Sequence, residues 1–265
     1  MKRIIPFIFL FLGCSSKDKP NEVVGVQSAP QPSSSIAQVS QDIPKEKVEA
    51  EPCPSGMNRV KGNYCDKIEY NCIDWLDNKE LPYARCKTYK PPAKCVGNPV
   101  PINVCMDIYE MKEKNSNLPI ENQSYNSCKL KCEEQGKRLC ELDEWKFGCS
   151  GPELKPYPFG WSRYEQECHI ETKEKKICNG KICDLRKPIY AFPNCKSDFG
   201  IINQIGSLDE PSHVKSYPLK SYPGVTSNTA LVGGHMLHGR TRCMEQTISH
   251  SNGFTQRVNS CRCCQ

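Results

Sequence analysis

Nineteen cysteines in a chain of 265 residues constrain this sequence more than any other feature. So many thiols in a reducing cytosol would need a metal or a redox role, so the count points to an oxidising compartment and a framework of disulfides. Eighteen of them lie between Cys53 and Cys264, an even number that can pair completely, and the remaining one, Cys14, stands alone near the N-terminus.

The stretch around Cys14 reads as an export signal. "MKRIIPFIFLFLGCSS" has a basic start at Lys2 and Arg3, an apolar run from Ile4 to Leu12, and then Gly13-Cys14. At about 1.5 Å rise per residue, that run covers less than half of a bilayer core of roughly 30 Å, so it is the apolar region of a signal peptide rather than a membrane span. "LFLGC" resembles the bacterial lipobox, with Phe11 where leucine is usual. The resemblance implies that Cys14 is acylated and becomes the mature N-terminus, with residues 1–13 removed. Several acyl chains together hold a protein to a membrane far more firmly than one. Residues 14–52 follow; from Ser15 to Pro52 there is no aromatic residue or further cysteine, and Ser, Pro, Gln, Glu and Lys abound. Such a segment buries too little apolar surface to offset its ordering entropy and is expected to be a disordered tether.

The formal charge of +6 falls to +4 once Lys2 and Arg3 leave. That is mild, and the lysines alternate with acids, as in "ETKEKKICNGKICD", so a nucleic-acid partner is not expected. No Gly-rich phosphate loop, nucleophile elbow or paired-His metalloprotease motif is present. Residues 53–265 read as one α+β domain, loop-rich and stapled, with a cysteine-rich N-terminal part over 53–105. "INVCMDIYEM", Ile102 to Met111, is rich in β-formers and predicts a strand. "SYNSCKLKCEEQG" predicts a helix with Cys128 and Cys132 on one face and Gly136 at its end. A second helix is expected from about Leu142 to Cys149, with Trp145 and Cys149 facing the core; Glu141 is a poor N-cap, although Glu144 stands correctly three residues later. Beyond Gly151, "PYPFGWSRY", "FPNCKSDFG" and "SYPLKSYPGV" predict long ordered loops between short strands.

Several blocks then match one family in its own order, from about Met57 to Cys264. "SCKLKCEEQGKRLCELDEWKFGCSG" followed by "YPFGWSRYEQECHI" resembles the "G-K-R-L-P-T-E-A-E-W-E-Y-A … Y-P-W-G … N-I" core of the formylglycine-generating enzymes, or sulfatase-modifying factors. "DFGIINQIGSLDEP", "ALVGGHMLHGRTRC" and "NSCRCC" are similar to its "V-G-N-V-W-E-W", "G-G-S … R-x-R-C" and terminal "G-F-R-C" segments. The resemblance implies a divergent C-type-lectin-like fold and disulfides between Cys132 and Cys263 and between Cys149 and Cys243. Each closes a loop of roughly 100 residues or more, for which chain entropy gives about 4 to 5 kcal/mol. It also implies copper-assisted oxidation of a substrate cysteine by a Cys-x4-Cys pair, since soft thiolates suit Cu(I). Here the interval from Gly234 to Arg240, "GHMLHGR", contains no cysteine. The family's calcium-ligating asparagine is replaced by Ser207, the following tryptophan by Pro211 and the asparagine of "N-I" by His169, which removes the calcium ligands as well.

Three candidate sites remain. "CNGKIC" places Cys178 and Cys183 at the Cys-x4-Cys spacing but far upstream; it reads as a local disulfide around an Asn-Gly turn, with a thiolate pair reaching the pocket as the alternative. His235 and His238 stand three apart, a spacing that suits one helical turn over a metal, or two polar loop residues without a third ligand. Trp161, Tyr164 and Tyr157 offer ring faces to a sugar, or fill the core. The expectation is a lipid-anchored protein of the cell envelope that has lost the oxidase chemistry, has no cofactor and binds a protein or carbohydrate. An active variant oxidase, retaining copper or calcium, and a lectin-like module are the alternatives.

Overall fold

In the computed structural model the described residues are 51–265, apart from 83, 174–176 and 238–240. The signal peptide, most of the tether, Cys14 and His238 lie outside them. The described part is a disulfide-rich α+β arrangement of small antiparallel sheets with two short helices.

Four strands build the N-terminal part. β1 (Met57–Cys65) pairs with β4 (Pro99–Asp107) in unbroken register, Met57 opposite Asp107 and Cys65 opposite Pro99. Between them β2 (Ile68–Trp75) and β3 (Cys86–Cys95) form a second, outer hairpin. β4 ends earlier than its composition suggests, because after Asp107 the chain leaves the sheet and Glu110 turns into the interior.

α1 (Tyr125–Glu133) begins where Ser124 caps it: Ser124 Oγ accepts from Ser127 N at 3.1 Å, while Ser127 Oγ accepts from Ser124 N at 2.8 Å. After β5 (Arg138–Leu139), α2 (Leu142–Ser150) starts without a good cap residue. The Glu144 carboxylate compensates by accepting from Glu141 N at 2.8 Å. Trp145 and Cys149, one turn apart, are fully buried against Met106, Ile205 and Val232.

The remaining chain forms a minute hairpin, β6 (Ile177–Cys178) with β7 (Lys181–Ile182), and a sheet in which β9 (Thr226–Val232) lies between β8 (Glu210–Pro218) and β10 (Gln246–Thr247). "SYPLKSYPGV" is thus only partly loop, since its first three residues continue β8 to Pro218. β11 (Cys263–Cys264) enters between β4 and β5 and completes a sheet of order β1-β4-β11-β5.

All eighteen cysteines from Cys53 to Cys264 are joined in nine disulfides. The C-terminal set follows from element geometry. Cys128 and Cys132 are four residues apart on a helix, a rise of about 6 Å; Cys261 and Cys263 are two apart in extended chain, about 6.6 Å. The steps match, and the structure joins Cys128 to Cys261 and Cys132 to Cys263. The next residue of a strand points to the opposite face, and Cys264 bonds to Cys140 beside β5.

One buried ionic group lies at the centre. Arg262 is fully buried, forks onto Glu210 at 2.9 and 2.8 Å, and donates to the carbonyls of Asp107 and Ile202, each at 2.9 Å. Trp145 Nε1 donates to the same carboxylate at 2.6 Å. Glu110 accepts from Ser207 Oγ at 2.7 Å, and burial, reinforced by the charge of Glu210, pushes its carboxyl up to about 8.

Candidate functional site

The segment between Gly233 and Cys243 follows β9. Gly233 has φ +87°, and a Cβ there would meet Gln204 O at 2.4 Å, so only glycine fits against the core at that turn. At the far end Cys243 is bonded to Cys149 of α2, and Cys243 N donates to Pro156 O at 2.9 Å. The disulfide therefore holds Arg242, Met244 and Glu245 beside the turn of α2 that carries Lys146, because residues 146 and 149 share a helix face.

A recess of about 280 Å³ lies at this junction, lined by Tyr64, Asp66, Lys67, Ile68 and Tyr70 from the N-terminal hairpins, by Lys146 and Pro156, and by Arg242, Met244 and Glu245. Tyr64, at the end of β1, packs on Phe147 and donates its hydroxyl to Met244 Sδ at 3.5 Å. Tyr70 turns inward from β2, meets Tyr89 edge-on at 5.4 Å, and donates to Leu154 O at 2.8 Å. Burial raises both phenols above their ordinary range. Arg242 lies over the Tyr89 ring, 5.8 Å from its centre, and donates to the Tyr89 hydroxyl and to Glu245.

Lys146 differs from Arg242. Its Nζ donates to Gln246 Oε1, a neutral amide, and no carboxylate among the described residues forms an ion pair with it. Burial lowers the pKa of this amine, and Asp143, one turn earlier in α2, opposes the shift. Asp143 is itself shifted upward by burial, with Lys146 acting in the other direction. A half-buried cation whose hydrogen bond goes to an amide, with Asp143 acting on it only through space, is the electrostatic feature that sets the recess apart.

The residues singled out from sequence do not gather into one site. Tyr157 is fully buried, stacked on Phe159 with centroids 5.7 Å apart, and donates to Cys86 O at 2.9 Å. The sugar-stacking expectation is therefore corrected for this residue: its ring is core and ties the outer hairpin to the body. Trp161 is half-buried against the same core and its carbonyl accepts from Tyr89 N at 2.9 Å, while Tyr164 is exposed. His235 is half-buried, with Nδ1 accepting from Leu237 N at 3.3 Å. Cys178 and Cys183 are bonded to each other. Among the described residues no group of three or more His, Cys, Asp or Glu is placed to hold a metal. Ser207, which the resemblance sets where the family carries a calcium-ligating asparagine, donates its hydroxyl to Glu110.

Sequence reasoning missed Tyr64, Tyr70 and Lys146. The only available signal was the spacing of Lys146 three residues before Cys149, given that Cys149 is bonded to the residue after Arg242.

No protein-family model matches the chain, and no curated protein matches it. Among solved structures the chain is similar to the crystal structure of CarF, with 10% identity, 79% of this chain and 97% of that one covered, and a TM-score of 0.47. It is also similar to the Major Tropism Determinant P3c variant, with 11% identity, coverage of 74% and 54%, and a TM-score of 0.39. Treponema denticola variable protein 1 matches with 12% identity, coverage of 77% and 98%, and a TM-score of 0.39.

Proposed function

We propose that this protein is a lipid-anchored, extracytoplasmic domain of the formylglycine-generating-enzyme type that has lost the oxidase chemistry and serves as a binding module, with the recess at Lys146 as its ligand site. The observation that carries this reading is the pairing of every cysteine from Cys53 to Cys264. Copper-assisted oxidation of a thiol needs thiolate ligands, and a sulfur held in a disulfide has no thiolate to offer.

The same pairing bears on the address. Nine disulfides belong to an oxidising, extracytoplasmic compartment, and among the described residues no helix is long and apolar enough to cross a membrane. Of 19 cysteines only Cys14 is left over, which suits an acylated residue.

The test uses the full-length protein, purified in detergent from the envelope of a bacterial host. It is supplied with Cu(I) and a peptide bearing the Cys-x-Pro-x-Arg motif on which the resembled family acts, and the peptide is followed by mass spectrometry. An unchanged peptide, with nine disulfides in a non-reducing map, is the expected result. Formylglycine in the peptide would overturn the reading.

A further inference from the structure

We propose that the recess over Lys146 takes a small organic carboxylate, its anionic end held by the Lys146 ammonium and the Tyr64 hydroxyl and its apolar body lying between Tyr64, Ile68, Tyr70 and Met244. This inference rests on the binding-module reading and gives it a ligand class.

Charge is the first argument. The lining carries Lys67, Lys146 and Arg242 against Asp66 and Glu245, and Asp143, one turn before Lys146 in α2, brings the local sum to zero, so what matters is where each cation finds its partner. Arg242 is already matched by Glu245 and by the ring and hydroxyl of Tyr89. Asp66 is held by Asn98, whose backbone N–H donates to it at 2.6 Å. Lys67 is exposed to solvent, and Lys146 is the cation whose half-buried ammonium faces a neutral partner, Gln246 Oε1. A half-buried ammonium whose hydrogen bond goes to an amide gains from an arriving carboxylate, because charge-assisted hydrogen bonds are roughly twice as strong as neutral ones.

The second argument is an under-used donor. The Tyr64 phenol is buried, and its hydroxyl finds only a thioether, Met244 Sδ, at 3.5 Å. Sulfur is a weak acceptor. A carboxylate oxygen is a much better one, and Tyr64 and Lys146 line the same recess.

Size and the neighbouring acids narrow the class. A volume of about 280 Å³ lies at the small end of ligand pockets, enough for a one-ring compound. A dianion such as phosphate would bring a second negative charge close to Asp66, Asp143 and Glu245, whereas a monoanion brings only one. The ring faces and aliphatic wall favour an apolar body over a polyol.

The experiment titrates the full-length protein in detergent with phenylacetate, with its neutral isostere phenylacetamide, and with inorganic phosphate, by calorimetry. Phenylacetate is expected to bind at least tenfold more tightly than the amide or phosphate, a difference of about 1.4 kcal/mol. Lys146→Met is expected to remove that preference, with the disulfide map unchanged. Lys146→Gln, which retains a donor for Gln246, serves as the second variant and is expected to bind acid and amide alike; Tyr64→Phe is expected to weaken the acid several-fold and leave the amide unaffected. Equal binding of acid and amide by the unaltered protein, tighter binding of phosphate, a preference that survives both Lys146 variants, or no binding of phenylacetate at millimolar concentration would each overturn the carboxylate assignment. Amide binding in the recess would still leave a binding module, whereas formylglycine formation would remove that reading whatever the titration gives.

Discussion

The outer hairpin and the centre of the molecule are both cross-linked, and the same bond does different work in each. The hairpin Ile68–Cys95 is a two-stranded ribbon that turns Tyr70, Cys72 and Tyr89 inward and leaves Ile73, Trp75 and nearby Leu76 and Leu81 exposed. Its bonds are short in sequence, Cys72 to Cys86 at a separation of 14 and Cys65 to Cys95 at 30. Two-stranded ribbons are marginal in water. Here disulfides stand in for a core, helped by Arg85, which pairs with Asp77 within the hairpin and with Glu171 of the body. At the centre the separations are 133, 131 and 124, and the bonds gather residues 261–264 around a fully buried Arg262. There the core exists already, and the disulfides fix which part of the chain closes it.

The sharpest way to break this contrast is to remove one bond from each region. In the chain-entropy account, replacing Cys132 and Cys263 together by serine is expected to cost about 5 kcal/mol, and replacing Cys72 and Cys86 about 3 kcal/mol. Denaturant unfolding of the two variants checks this, and a larger loss from the hairpin pair would show that the hairpin depends on more than chain entropy.

Arg262→Met tests the centre without touching a disulfide. It leaves Glu210 buried without its cation, and an uncompensated buried charge is expected to cost about 3 to 5 kcal/mol. A loss below about 1 kcal/mol by the same measurement would mean that Glu210 takes up a proton cheaply and that packing, not the ion pair, holds the centre.

Tyr157→Phe tests the junction between the regions, since it deletes one buried hydrogen bond to the hairpin and keeps the ring. A loss of about 1 kcal/mol is expected, with hydrogen exchange rising selectively in residues 86–89. Uniform exchange across the chain would place the hairpin in the same cooperative unit as the core.

The last prediction is a slope. Glu110 has a folded-state pKa raised to about 8 against an ordinary 4.5. Between those values the folded state holds a proton that the unfolded state releases, so this group's contribution is fully present below about pH 4.5 and is lost as pH rises through about 8. Glu110→Gln is expected to flatten the decline in thermal midpoint over that interval. An unchanged slope would assign the dependence to other groups.

Both helices were legible in sequence because their signals are local. Cys128 and Cys132 lie on one helix face, Trp145 and Cys149 on another, and the ends fall close to where the pattern puts them. The β8–β9 hairpin was hidden by Pro211, Pro218 and Pro223, which suggest loops; in the structure Pro211 and Pro218 lie in β8 and Pro223 in the turn that follows. For Tyr157 the sequence leaves a ligand face and the core both open, because a ring's hydrophobicity does not say whether solvent or another ring covers it.

The sequence by itself determined the oxidising compartment, the even set of cysteines, the two helices and the lack of cysteine between Gly234 and Arg240, since each is a matter of composition or near-neighbour spacing. Only the tertiary structure decided which cysteine meets which beyond the pairs the resemblance implied and the local Cys178–Cys183 bond, that Tyr157 is core, and that Lys146 shares a recess with Tyr64, Tyr70 and Arg242. These residues are distant in sequence, and the partial burial that sets the Lys146 ammonium against an amide exists only once the chain has closed around it.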